Sequence, residues 1–250
     1  MEIATFDLEK ELLGKGYGFV IGVDEAGRGP LAGPVVAAAT IVRNDKFQIS
    51  NFKSNSNEQN SNNKNWNLIR DSKKLSAGQR EKAFDFVLEN FHVGIGICDH
   101  ETIDRINILE ASFLAMKKAL TNLIKSSNFQ FPISNFQSIS NNQISNDLKN
   151  EKQLLKYIIL VDGNKKIPNF SGEQLAVVGG DKIVKSISAA SIIAKVTRDR
   201  MMLEVHKKYP EYHFDKHKGY GTKIHMESLK QYGPCEIHRK SFAPVKIALK

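Results

Sequence analysis

Residues 19–35 read FVIGVDEAGRGPLAGPV, and the fold and the chemistry both follow from how this stretch is parsed. Phe19 to Val23 is a short, β-branched apolar run of the kind that forms a buried strand, and it ends in two adjacent carboxylates, Asp24 and Glu25. Neighbouring residues of an extended chain point to opposite sides, so the pair can share one ion only if the chain turns there. Gly27-Arg28-Gly29-Pro30 supplies a turn; its glycines let backbone amides approach a ligand, and the Arg28 guanidinium suits a phosphate. Gly33 to Val42 (GPVVAAATIV) is a second apolar run, close enough to pair antiparallel with the first. An Asp-Glu pair before glycines also fits an ordinary polar turn, but carboxylates, backbone donors and a cation within six residues suggest a phosphodiester site.

The totals agree with a nucleic-acid partner. The 250 residues are 41% hydrophobic, with 36 Lys and Arg against 27 Asp and Glu, a formal charge of +9. Residues 182–246 alone carry fourteen Lys and Arg against six Asp and Glu, so nearly all the excess lies there. No basic-then-apolar signal segment and no membrane-length apolar run is present. Cys98 and Cys235 form no metal-ligand spacing, and a reduced, cytoplasmic, monomeric protein without membrane attachment is expected.

Upstream of the Phe19 strand, Phe6, Leu8, Leu12 and Leu13 predict a short helix ending near Gly14. Residues 44–67 contain nine asparagines and little apolar periodicity, and residues 126–152 are similar; Ile49-Ser50-Asn51-Phe52 recurs as Ile133-Ser134-Asn135-Phe136. Both are read as solvated insertions. Between them, Ser76 caps a helix to about Phe91 with apolar Ala83, Phe86, Val87 and Phe91 at helical spacing, and FHVGIGIC (91–98) alternates as a strand. A short and then a long helix follow from His100, joined near Asn107, with Ile108, Phe113, Met116, Leu120 and Leu123 inward. Tyr157 to Val161 and Leu175 to Val178 are further strands, ending in Asp162-Gly163 and Gly179-Gly180-Asp181. The helix from Lys185 to about Lys208 puts Ser191, Lys195 and Asp199 on one polar stripe, opposite Ile193, Val196 and Leu203. From Tyr209 a basic tail carries His217-Lys218-Gly219-Tyr220-Gly221-Thr222 and a helix to about Gln231. The expectation is an α/β catalytic domain, 1–208, with a mixed sheet flanked by helices, and a small basic helical extension, 209–250.

DEAGRGPLAGPVVAAA at Asp24, DSKKL at Asp71, VDG at Val161, SAASIIAKVTRD at Ser188 and HKGYGT at His217 resemble, in order, the motifs of the ribonuclease HII family. The resemblance covers nearly the whole chain apart from the insertions. It implies a ribonuclease H-like fold and an endoribonuclease that cuts 5′ to ribonucleotides, in RNA/DNA hybrids and at single ribonucleotides in duplex DNA. Its metal-binding and catalytic carboxylates fall on Asp24, Glu25, Asp162 and Asp199, an all-oxygen set that suits two Mg²⁺ or Mn²⁺ ions. It assigns recognition of the ribose 2′-hydroxyl to the Gly27-Arg28-Gly29 backbone and to Tyr220. Lys73, Lys74 and Lys195 are expected phosphate contacts, with Ser191 beside them. His213, His217 and His225 match no ligand of the family and are not read as a metal site. The sister family ribonuclease HIII shares the fold, but it usually carries an extra N-terminal domain and a Glu at the position of Asp199. A silent nucleic-acid-binding protein would not need four carboxylates. A sliding clamp is a conceivable partner, but no clamp-binding peptide is visible.

Overall fold

Side chains along Phe19–Ala26 alternate between two apolar layers, and that alternation places everything else. The computed structural model describes residues 4–43, 65–126 and 156–249. The elements, in chain order, are α1 Asp7–Gly14, β1 Phe19–Ala26, β2 Val35–Val42, α2 Ala77–Asn90, β3 Phe91–Cys98, α3 His100–Ile106 and α4 Ile108–Ser126, then β4 Tyr157–Asp162, β5 Glu173–Val177, α5 Gly180–Ile183, α6 Lys185–Lys208, α7 Phe214–His217, α8 Lys223–Tyr232 and α9 Ala243–Ala248. The five strands form one sheet in the order β3-β2-β1-β4-β5. β1 to β3 form an antiparallel meander, whereas β4 and β5 run parallel to β1. The mixed α/β sheet flanked by helices that the sequence predicts is therefore the architecture observed.

On one face Ile21 and Val23 meet Phe113, Met116, Leu120 and Leu123 of α4. On the other, Ala38 and Val42 lie in one cluster with Ala83, Phe84 and Val87 of α2 and Ile192, Ile193 and Val196 of α6. Each fully buried Ile or Leu contributes about 1.5–3 kcal/mol. Gly22 allows α6 to lie this close, since a Cβ there would stand 2.2 Å from the Ser186 carbonyl carbon. α1 is fastened to the same helix by Glu9, whose Oε1 accepts from the Ser186 N–H at 2.8 Å. Ser76 and Gln79 form a reciprocal capping box at the start of α2. Asn107 turns the chain with φ 68°, and its side chain accepts from the Leu109 and Glu110 amides to start α4.

Some expectations are corrected. β1 continues through Asp24 and Glu25 to Ala26, paired with Val36, instead of stopping at Val23. Phe84, not Phe86, is the buried phenylalanine of α2, and Leu203 is exposed. The first Asn-rich stretch does not reach residue 67 as solvated chain: Trp66 lies 5.0 to 5.9 Å, ring to ring, from Phe6, Phe86 and Phe91. Buried Lys185 donates to the carbonyls of Trp66 and Ile69. Residues 44–64 of that stretch and 127–152 of the second lie outside the described residues, while Ser126 ends α4. The tail folds back on the β1–β2 connection: Tyr212 and Phe214 pack with Ala32 and Met202, and Leu229 and Val245 with Leu31. Among the described residues no helix is long and apolar enough to cross a membrane.

Candidate active site

Because β1 holds its register to Ala26, Asp24 sits opposite Ala38 on the α6 side, and Glu25 sits opposite Ala37 on the α4 side. The two carboxylates thus stay on opposite faces of the strand end, and what joins them is β4, whose last residue is Asp162. Asp24 is 5% exposed. Burial pushes its carboxyl well above the usual range, and the charges of Glu25 and Asp162 push it further; the Ser191 hydroxyl and the Glu25 N–H, at 2.7 Å, oppose this. Glu25 is raised by burial too and by Asp162, against the pull of Arg28, whose Nη1 lies 3.3 Å away. Asp162 is raised by burial and by Asp181.

Asp181 is a further buried carboxylate at this end of the sheet, which sequence reasoning did not single out. It is 3% exposed, its N–H donates to Asp162 Oδ1 at 3.3 Å, and its carboxylate pairs with Lys73 at 3.4 Å. Burial works against charge on Lys73, but Asp181, Asp24 and Asp71 together hold its pKa above the ordinary value. The signal was present as Gly179-Gly180-Asp181 following an apolar run, although β5 stops at Val177 and Asp181 lies in the first turn of α5. The stripe on α6 is divided. Ser191 bonds to Ser72 Oγ at 3.1 Å and acts on Asp24, tying the Asp71–Leu75 turn to the carboxylates. Asp199 stands about 12 Å farther along the helix by rise alone, where it accepts from Lys195 Nζ at 2.7 Å. The charges acting most on the strand-end carboxylates come from one another, Asp181, Arg28 and Lys73. Asp24, Glu25 and Asp162 are therefore brought together with Asp181, and Asp199 is not among them. Lys74 is exposed on the turn beside Lys73.

Next to the carboxylates, the Gly27–Pro34 turn is held from beneath by two buried arginines that the sequence reading also passed over. Arg239 donates to the carbonyls of Gly27, Arg28, Gly33 and Pro34, and Arg198 to those of Ala32, Pro34 and Lys218. Gly27 has φ +100°, and a Cβ on it would stand 2.2 Å from Arg198 Nε. A trans peptide directs its N–H opposite to its C=O, so the amides of Arg28 and Gly29 point away from the Arg239 guanidinium, toward the outer side of the turn. The half-exposed Tyr220 ring lies there: a Cβ on Gly29 would be 3.6 Å from it, and Lys195 Nζ is 5.9 Å from its centroid. Outward amides, an aromatic face and a lysine thus line one edge beside the acidic strand ends.

The family model for ribonuclease HII matches residues 21–245, which include every one of these groups. The chain belongs to the ribonuclease HII family. A ribonuclease HII of Fusobacterium nucleatum subsp. nucleatum is 47% identical over 227 residues, covering 90% of this chain and 86% of that one. The crystal structure of ribonuclease H2 from Pyrococcus horikoshii superimposes with a TM-score of 0.59 at 25% identity, over 92% of this chain and 96% of that one. A Bst ribonuclease HIII solved with Mn²⁺ shares the fold, with a TM-score of 0.59 at 17% identity, over 94% of this chain and 70% of that one. Ribonuclease HII proteins are metal-dependent hydrolases of nucleic acid. Among the described residues no three His, Cys, Asp or Glu side chains stand in coordinating reach of one point. The donor chemistry nevertheless fits divalent cations, since buried, mutually repelling carboxylates with raised pKa values are short of positive charge and offer only oxygen.

Proposed function

We propose that the chain hydrolyses the phosphodiester 5′ to a ribonucleotide, in RNA/DNA hybrids and at single ribonucleotides within duplex DNA. The observation that carries this is the position of the Gly29 main chain and the Tyr220 ring at the same end of β1 as buried Asp24. Asp24, Glu25, Asp162 and Asp181 would hold two Mg²⁺ or Mn²⁺ ions. When bound, such ions activate the attacking water and neutralise the leaving 3′ oxygen.

The chain's own groups supply positioning and recognition. The outward amides of Arg28 and Gly29 offer hydrogen bonds to the ribose 2′-hydroxyl, the one group a deoxyribonucleotide lacks. Tyr220 packs against the following sugar, so that the step from ribo- to deoxyribonucleotide lies between Gly29 and the ring. Lys73 and Lys195 each have a carboxylate partner that phosphate oxygens can replace, Asp181 and Asp199 respectively. Arg28, 54% exposed at its side chain, offers a further phosphate contact while shielding Glu25. The test is incision of a DNA duplex carrying one ribonucleotide with Mg²⁺, Mn²⁺ or chelator, with products sized at nucleotide resolution. A metal-dependent cut on the 5′ side of the ribonucleotide is expected. Cleavage confined to long RNA tracts, or none despite tight binding, overturns the proposal.

A further inference from the structure

Three imidazoles, His217, His225 and His238, surround the buried ring of Phe214, with ring centroids 5.4 to 5.9 Å from it. His225 and His238 are fully buried, and among the described residues no carboxylate bonds to either. With both rings neutral, their hydrogen bonds admit one arrangement of protons, in which His238 Nδ1, 3.1 Å from Cys235 Sγ and 3.3 Å from the Cys235 carbonyl oxygen, carries none. His225 Nδ1 meets the Tyr220 carbonyl oxygen at 2.9 Å and so carries its proton there, leaving Nε2 as an acceptor. His238 Nε2, 3.0 Å from that atom, must then be the donor, and His238 Nδ1 accepts from the Cys235 N–H at 3.0 Å. His217 completes the group from the other side: its Nε2 donates to the Tyr212 carbonyl at 2.8 Å, and its Nδ1 accepts from the Gly219 N–H at 3.2 Å. The Tyr220 N–H bonds to the His217 carbonyl and the Gly219 carbonyl to the Leu31 N–H, so the backbone carrying the tyrosine is fixed at every polar atom of Gly219 and Tyr220.

The residue after His238 is Arg239, which grips the Gly27–Pro34 turn. We propose that the dipeptide His238–Arg239 is a positioning unit: it sets the gap between the Gly29 amide and the Tyr220 ring, and so the preference for a ribonucleotide-to-deoxyribonucleotide junction. One side chain holds the turn from beneath; the other, through His225, holds the Tyr220 carbonyl. Arg239 and His238 are adjacent on the chain, and the Arg239 N–H bonds to Leu31 O at 2.9 Å, so neither contact shifts without the other. Neutral imidazoles suit this task, since each joins two partners through a flat, rigid ring and brings no charge into an apolar pocket. The inference rests on the ribonucleotide-reading role proposed above for Gly29 and Tyr220.

Two experiments test it. Long-range proton–nitrogen NMR of the histidine rings in the whole protein at pH 7.5 is expected to show His225 as the neutral Nδ1–H form and His238 as the neutral Nε2–H form. A charged ring or the opposite tautomer at either position overturns the relay, whatever the enzyme cleaves. The second experiment compares His225→Asn, whose amide can still donate to the Tyr220 carbonyl, with His225→Leu, which cannot. For each, kcat/KM is measured on a duplex with one ribonucleotide and on a long RNA tract. His225→Leu is expected to lose about tenfold in the ratio of the two, the scale of one misplaced recognition contact, and His225→Asn to recover most of it. Equal losses on both substrates, or an unchanged ratio in His225→Leu, overturn the proposal. Failure of the wild-type protein to cut at ribonucleotides is a separate result that removes the proposed function and leaves the NMR outcome standing.

Discussion

Lowering the pH from 7.5 to 5 should weaken the fold through its histidine cluster, by an amount that the burial of two rings sets. Burial pushes His225 and His238 each down to about 4 from an ordinary 6.5, with the neighbouring imidazoles adding to the shift, His217 at His225, and His225, His100 and His217 at His238. The folded pKa lies below the unfolded one, so the unfolded chain takes up protons first; the stability is complete above pH 6.5 and is lost as the pH falls toward 4. At pH 5 each imidazole then costs about 2 kcal/mol, and the two together about 4 kcal/mol, a large share of the about 5–15 kcal/mol of a typical fold. For a chain of this size that corresponds to a fall in Tm of about 8–16 °C. Asp24, Glu25 and Asp162 act in the opposite sense, because carboxyls raised in the fold gain stability on protonation. The assay is therefore a difference: urea unfolding at pH 7.5 and 5, without divalent ions, for the wild type and for His225→Leu/His238→Leu. The double variant is less stable at pH 7.5, yet its further loss on going to pH 5 should be smaller by about 4 kcal/mol. Equal losses in the two proteins, within about 0.5 kcal/mol, would refute the assignment of neutral, buried imidazoles.

Asp24→Asn should lower incision by about a thousandfold, the scale of losing several kcal/mol of charge stabilisation. It should leave duplex binding intact and raise the Tm of the metal-free protein, since an amide carries no charge to bury; a lower Tm would count against repulsion at the strand ends. Asp181→Asn should reduce incision about as severely as Asp24→Asn, and Asp199→Asn far less, in steady-state assays at saturating Mg²⁺; the reverse order would move the fourth ligand to α6. Tyr220→Ala should weaken incision at a single ribonucleotide by about tenfold, the worth of one aromatic contact to nucleic acid, and weaken cleavage of RNA tracts less. Arg239→Ala should cost about 3–5 kcal/mol in urea unfolding, because the carbonyls it holds lose a buried charged donor; a loss under 1 kcal/mol would show that the turn holds itself.

Local pattern made most of the scaffold legible. β3 and α6 have the bounds that alternation and helical spacing give them, and Ser76 caps α2 as its place before the apolar run implies. The acidic strand ends were legible in part: β4 stops at Asp162 as its apolar run does, whereas pairing with β2 carries β1 on past Asp24 and Glu25 to Ala26. What resisted was distance. Ser191, Lys195 and Asp199 share a helical face, but periodicity says nothing of where along that face the sheet ends, so Asp199 looked as close to Asp24 as Ser191 is. Asp181 stood among glycines with no helical stripe to single it out. Arg198 and Arg239 were invisible for another reason: an isolated arginine is usually solvated, and these two are buried only because carbonyls from residues 27 to 34 curl around them. Trp66 was concealed by its asparagine-rich neighbours, whose composition outweighed one aromatic ring.

The hold of Arg239 on Gly27 and Arg28 spans 212 and 211 positions of sequence. During synthesis the strands that carry Asp24 and Asp162 leave the ribosome long before residue 239 does, and the domain can begin to collapse around them. The turn beside those strand ends gains its buried guanidinium only once Arg239 has been translated. A growing chain thus has its acidic strand ends well before the side chain that fixes the neighbouring turn, and the two parts of the site are joined late.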